Sequence, residues 1–137
     1  MGQRIAQIAL VVKDYDDAIQ FYTEVMQFEL VEDTRMSNTK RWVVVGPSGS
    51  GVRLLLAKAT NENQASRIGD QTGGRVFLFL HTDNFDSYFK HLQNHHVRVV
   101  RGPIDEPYGR VAVLEDLYGN LWDLIEPNNE ADKSDVI

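Results

Sequence analysis

Two stretches far apart in the chain, "VVKDYDDAIQFY" at 11–22 and "HTDNFDSYFKHL" at 81–92, carry one pattern. Laying Asp14 on Asn84 places Tyr15 on Phe85, Ile19 on Phe89 and Tyr22 on Leu92. These apolar positions recur at helical spacing, and each helix is preceded by a β-rich run and followed by three more. A repeated strand–helix–strand–hairpin order restricts the chain to an internal duplication, read as two βαβββ modules of an α+β fold. Open sheets duplicated in this way can face each other and enclose a cleft.

The first module starts with "IAQIALVV", a buried strand over 5–12. Asp14 is the expected N-cap of the following helix, with Asp16 and Asp17 in the first turn, where the helix dipole favours anions. Tyr15, Ala18, Ile19, Tyr22, Val25 and Met26 fall on one face. "FELVED" reads as a strand and "RWVVVGPSGSGVRLLLAKA" as a hairpin. Its "GPSGSG" lacks the Gly-Lys-Ser/Thr ending of a phosphate loop and opens no helix, so turn chemistry accounts for the glycines. A short helix over 61–69 ends in the loop "GDQTGG". The second module then runs through "VFLFLHT", a helix burying Phe85, Tyr88, Phe89 and Leu92, the strand "VRVVRG", the loop "PIDEPYG", the strand "RVAVLED", a turn at 116–120 and a strand at 121–126.

At 137 residues, with 42% hydrophobic and 25% charged content, the chain suits one soluble globular domain. No apolar run nears the roughly 20 residues of a membrane helix. The apolar N-terminal segment is too short for a signal peptide, and a cytoplasmic location is expected. Having no cysteine, the chain has no disulfide, thiol nucleophile or zinc–thiolate site. A formal net charge of −6 argues against a nucleic-acid partner. Locally, Arg35, Lys40, Arg41 and Arg53 supply a positive patch suited to a small anionic ligand.

"DLYGNLWDLIEP" at 116–127 sets the chemical question. On a strand Asp123 shares a face with Leu121 and Ile125, an unusual place for a carboxylate. It is a metal ligand, a catalytic group or a polar residue in a wet cleft.

"IALVVKDYDDAIQFYTEVMQFEL" and "EPYGRVAVLEDLYGNLWDLIEP", with the duplicated order between them, resemble the glyoxalase/bleomycin-resistance/extradiol dioxygenase (vicinal oxygen chelate) superfamily. The resemblance covers residues 4–127. It implies a single glyoxalase-like domain over 1–127, with modules at about 4–60 and 74–127 forming an open-sheet cleft, and a polar, flexible tail over 128–137. It also implies a homodimer. For the reaction it is unspecific, since relatives include isomerases, epimerases, dioxygenases, thiol transferases and proteins that only sequester drugs.

Metal-dependent relatives place a His, Gln or Glu ligand on the first and last strand of each module. Carried over, those positions fall on Gln7, Leu55, Phe77 and Asp123. Gln7 and Asp123 can coordinate; Leu55 and Phe77 cannot, and shifting by one residue meets only Leu54, Leu56, Val76 and Leu78. About three protein ligands are wanted for an ion with an open position. The resemblance therefore implies remnant metal positions, and no cofactor is expected.

Within the expected cleft, Gln7 shares a face with Ala9 and Val11, and Phe77 with Phe79 and His81. His81 is either a hydrogen-bonding or basic group or a histidine bonded to nearby backbone. Tyr108 and Arg110 sit at the start of the second hairpin; alternatively Tyr108 packs under the Pro107 turn and Arg110 pairs with Glu106. Arg41 suits a ligand carboxylate or phosphate, and Trp42 a flat ring, unless they are a surface charge and a core or interface aromatic. His91 and His95, four apart on a helix, lack a third metal ligand and read as surface groups near a helix C-terminus.

The pocket candidates are thus Gln7, Trp42, Leu55, Phe77, Phe79, His81, Tyr108, Arg110 and Asp123, none with an assigned catalytic role. They favour a protein that binds a small organic molecule in a largely apolar cleft, with no membrane partner. The alternative is a metal-dependent glyoxalase-like lyase or dioxygenase using Gln7 and Asp123. A third class is a structural module whose cleft is filled by its own side chains.

Overall fold

Strand alternation in the first half is resolved by which residues meet the helix. A computed structural model describes residues 2–49 and 51–128. The chain divides into two compact units, residues 1–68 and 69–137.

In the first unit β1 (Gln7–Val12), β2 (Glu29–Arg35), β3 (Arg41–Gly46) and β4 (Arg53–Lys58) form a sheet in the order β1-β4-β3-β2. β1 pairs with β4 in parallel and the other pairs are antiparallel. Leu10, Val12, Val43, Val45, Leu54 and Leu56 alternate onto one face and are buried there with Tyr15, Ala18 and Tyr22 of the helical segment. Complete burial of a leucine such as Leu10 contributes about 1.5–3 kcal/mol.

That segment begins as α1 (Tyr15–Gln20), capped by Asp14, whose carboxylate accepts the Asp17 N–H at 2.8 Å. It widens into a π-helical turn, Phe21–Val25, where the Met26 N–H donates to the Phe21 carbonyl at 3.0 Å. The cause is a difference between the two halves. Gln27, left-handed at φ 61°, stands five residues after Tyr22, whereas its counterpart His96, also φ 61°, stands four after Leu92. The wider turn absorbs one extra residue and keeps both Tyr22 and Met26 buried.

α2 (Glu62–Ala65) is one turn long and capped by Asn61, within the helix expected over 61–69.

In the second unit β5 (Val76–His81), β6 (Val99–Glu106), β7 (Gly109–Glu115) and β8 (Leu121–Pro127) repeat the arrangement in the order β5-β8-β7-β6. β5 and β8 are parallel. α3 (Phe85–Asn94) buries Phe85, Phe89 and Leu92, with the Asn84 side chain accepting from Ser87 N–H at its start.

Two expectations change. "PIDE" of the expected loop 103–109 belongs to β6, leaving only Pro107 and Tyr108 to turn the chain. β6 is a sheet edge, where a proline costs no ladder bond, and bulges between Val99 and Arg101 and between Arg101 and Ile104 accommodate it. Asn128, assigned to the frayed tail, is anchored: its N–H donates to the Tyr108 carbonyl at 3.0 Å and its amide to the Pro107 carbonyl at 3.1 Å. The rest of the expected tail, 129–137, lies outside the described residues.

Candidate functional site

β3 and β4 set the first unit's site. Val44 pairs with Leu55 and Val43 with Leu56, so alternation turns Trp42, Leu55 and Ala57 to the face away from α1. Together with Tyr15 and Leu56 from the helix side and with Lys40 and Lys58, they line an open pocket of ≈ 720 Å³ at the start of β3 and the end of β4. This volume falls within the roughly 300–1,000 Å³ typical of small-molecule sites. Gln7 is exposed on β1 opposite Arg53 and is not part of this lining.

Arg41 lines the same pocket but is committed elsewhere. Its guanidinium donates to both Asp33 oxygens, at 3.1 and 2.7 Å, and to Asp16 at 2.9 Å. It also stands over the Tyr15 ring, 5.2 Å from the centroid. The hydrogen bonds from Arg41 hold the Asp33 carboxyl below its usual range, and the two carboxylates raise the Arg41 guanidinium further above its own. Arg41 is thus engaged by two carboxylates of the protein itself.

Arg110 repeats this in the second unit. It pairs with Asp105 at 3.1 Å and Asp86 at 3.4 Å and stands over Phe85 at 5.4 Å. Glu106, the expected partner, is replaced by its neighbour because alternation along β6 turns adjacent side chains to opposite faces. Arg41–Asp33–Asp16–Tyr15 and Arg110–Asp105–Asp86–Phe85 are thus one duplicated clamp, joining each hairpin to the first turn of its helix.

Across the second sheet, Phe79, Asp123, Val113 and Arg101 stand in register on β5, β8, β7 and β6. Asp123 is only 8% exposed, and its Oδ1 has no hydrogen-bond partner among the described residues. Desolvation pushes its pKa up, while the charges of Arg101 and His81 pull the other way and do not prevail. Phe79 is 64% exposed. His81 is exposed opposite Ile125, and no backbone bond to its ring is seen. Phe77 departs from the expected row: a bulge between Val76 and Leu78 takes it out of alternation, and its ring meets Trp122 edge-on at 6.2 Å. Tyr108 is 56% exposed at the β6–β7 turn rather than packed beneath it.

The first unit therefore gathers Trp42 and Leu55, and the second gathers Phe79, His81 and Asp123. His91 and His95 lie 4.3 Å apart between ring centroids, with His95 Nδ1 2.9 Å from the His91 carbonyl, a helix-end contact. Among the described residues no group of three or more His, Cys, Asp or Glu is placed to hold a metal ion.

Asp116 escaped the sequence reading. Its Oδ1 accepts the N–H groups of Tyr118, Gly119 and Asn120 at 3.0, 3.1 and 3.0 Å. Its Oδ2 accepts Asn120 Nδ2 at 3.1 Å and Trp122 Nε1 at 3.3 Å. The available signal was the Asp-x-x-Gly-Asn spacing, which suits an Asx-type turn. Asn120 Oδ1 then accepts the Gln71 N–H at 3.1 Å, and Gly69 (φ 75°) packs so tightly on the Tyr118 carbonyl that a Cβ would collide with it. The turn that aims Asp123 thus also secures residues 69–71.

The model of the "Glyoxalase/Bleomycin resistance protein/Dioxygenase superfamily" matches residues 4–124. A protein of Shewanella frigidimarina (strain NCIMB 400) is 54% identical over 132 residues, covering 95% of this chain and 98% of its own. Among solved structures, UcmS2 is similar with 30% identity and a TM-score of 0.79, covering 92% of this chain and 99% of that one. TnmS3, an antibiotic binding protein from Streptomyces sp. CB03234, is similar with 29% identity and a TM-score of 0.73, covering 92% and 97%. With two four-stranded sheets of one topology and a family match over nearly its whole length, the chain belongs to the glyoxalase/bleomycin resistance protein/dioxygenase superfamily.

Proposed function

We propose that this protein binds a small organic molecule, with Trp42 and Leu55 forming the apolar wall of its site. The observation that carries the proposal is the pocket of ≈ 720 Å³ beside β3 and β4, where aromatic and aliphatic side chains meet polar groups. The likeness to TnmS3, an antibiotic binding protein, supports the same reading. Phe79, His81 and the buried Asp123 are proposed as a second group of ligand contacts, on the second sheet.

The positions where the family resemblance expects metal ligands supply one amide oxygen, from Gln7, and one carboxylate, from Asp123. Leu55 and Phe77 have no donor atom. This set does not fit a divalent ion with an open coordination position. The orphaned Asp123 Oδ1 is the single observation favouring the second reading, a metal-dependent lyase or dioxygenase using Gln7 and Asp123.

A homodimer is proposed as well, supported by large apolar side chains left in solvent away from the proposed ligand contacts, among them Ile5 (70%) and Met36 (59%). Light scattering after size exclusion should give twice the chain mass; a monomer would remove this part of the proposal.

Binding is tested with N-phenylnaphthylamine, a neutral aromatic probe that brightens when it leaves water. Saturable binding is expected, weakened about tenfold in Trp42→Ala, which removes a stacking face. Absence of saturable binding, or unchanged binding in Trp42→Ala and Leu55→Asp alike, would sink the proposal.

A further inference from the structure

We infer that the first unit's pocket selects a planar aromatic monoanion, an aryl carboxylate or its equivalent, in preference to a neutral or cationic ring. This rests on the proposed binding role and names the class of ligand. The chain carries 20 Asp and Glu against 14 Lys and Arg, yet Lys40, Arg41 and Lys58 line the pocket with no carboxylate among the lining residues. The site thus has the opposite sign to the molecule around it.

The three cations are not equivalent. Arg41 is satisfied by Asp33 and Asp16, neither of which is a lining residue. Lys40 and Lys58 have no ion-pair partner among the described residues. Three positive charges against those two carboxylates leave an excess of one, which a monoanion would neutralise.

The backbone that carries the two lysines is fixed by hydrogen bonds and strand pairing. Ser37 Oγ accepts the N–H groups of Thr39 and Lys40 at 3.2 and 3.0 Å, and the Lys40 carbonyl accepts those of Met36 and Ser37 at 3.1 Å or less. Lys58 ends β4 in register with Val12. Tyr15 adds a third group: its phenol oxygen accepts the Arg41 N–H at 3.2 Å, which leaves its O–H to donate. Trp42, Leu55 and Ala57 supply apolar lining for a ring beside these polar groups.

Isothermal titration calorimetry with naphthoate, naphthalenemethanol and naphthylmethylamine separates the possibilities, because the three share a ring and differ in charge. Naphthoate is expected to bind about tenfold more tightly than the alcohol at low salt, the scale of two exposed ion pairs. The margin should narrow in about 0.5 M NaCl, where the Debye length falls to a few ångströms. Lys40→Gln/Lys58→Gln should bring the ratio to about one, and Lys40→Arg/Lys58→Arg should preserve it, with urea melts confirming that both fold. An alcohol or amine that binds as tightly as naphthoate overturns the inference while leaving small-molecule binding intact. So does a preference that survives in the double glutamine variant. Failure of all three ligands and of N-phenylnaphthylamine would overturn both readings.

Discussion

Asp123 and Asp116 are two buried carboxylates a few residues apart with opposite circumstances. Asp116 accepts five hydrogen bonds; Asp123 leaves one oxygen bare. Asp116→Ala strands those donors in a buried turn and is expected to cost about 3 kcal/mol or more, read from urea unfolding. Asp123 predicts the reverse. Its folded-state pKa lies above the ordinary 3.8, so the folded chain keeps a proton that the unfolded chain gives up. That contribution is complete below about pH 3.8 and is lost as pH rises through the folded pKa. Asp123→Asn removes the charge but not the shape, and should stabilise the protein at pH 7 by about 1 kcal/mol. The gain should disappear toward pH 3.8; a variant destabilised at pH 7 would refute the assignment. The odd placement of Asp123 was legible in the sequence because strand alternation shows which face a residue takes. The work of Asp116 was not, since it depends on a turn whose donors converge only once folded. The partners of Arg41 and Arg110 were hidden for a related reason. Asp16 is 25 residues from Arg41, and no local pattern pairs them.

The same cross-element contacts organise the helices and strands. Each clamp arginine ties a hairpin to the first turn of its own helix with two aspartates and an aromatic ring, although Asp105 faces Arg110 in register while Asp33 lies two positions from Arg35, the residue facing Arg41. Arg41→Gln should lower stability at pH 7 by about 1 kcal/mol, the upper end for partly exposed ion pairs. Asp33 titrates below the ordinary 3.8 because of Arg41, so the contribution is present above that pH and fades as pH falls through the folded value. Wild type and variant melting curves should therefore converge in acid; a constant gap would mean that packing over Tyr15, rather than charge, carries the effect. Most elements were readable from period and capping, including Asp14 as the N-cap of α1. The failures occur where regular alternation is interrupted. The bulge at Phe77 and those that carry β6 past Pro103 each shift register by a residue that periodicity does not register. The π-helical turn after Phe21 belongs with them, since it hides a one-residue length difference inside an unbroken apolar stripe.

Across the whole molecule, the duplicated topology identifies the superfamily, but the chemistry depends on which residues occupy a few strand positions. Here two of the four positions where metal ligands are expected hold Leu55 and Phe77, while the first unit carries a pocket with aromatic, aliphatic and cationic walls. This pocket is proposed to take an organic ligand without an ion. The direct test is the Kd for N-phenylnaphthylamine in chelator-stripped protein, remeasured after adding one equivalent of Ni²⁺, Zn²⁺, Mn²⁺ or Fe²⁺, with elemental analysis of each sample. The predicted result is an unchanged Kd throughout and no ion retained at stoichiometry. Retention of one ion per chain, with probe binding lost on stripping and restored on reloading, would contradict it.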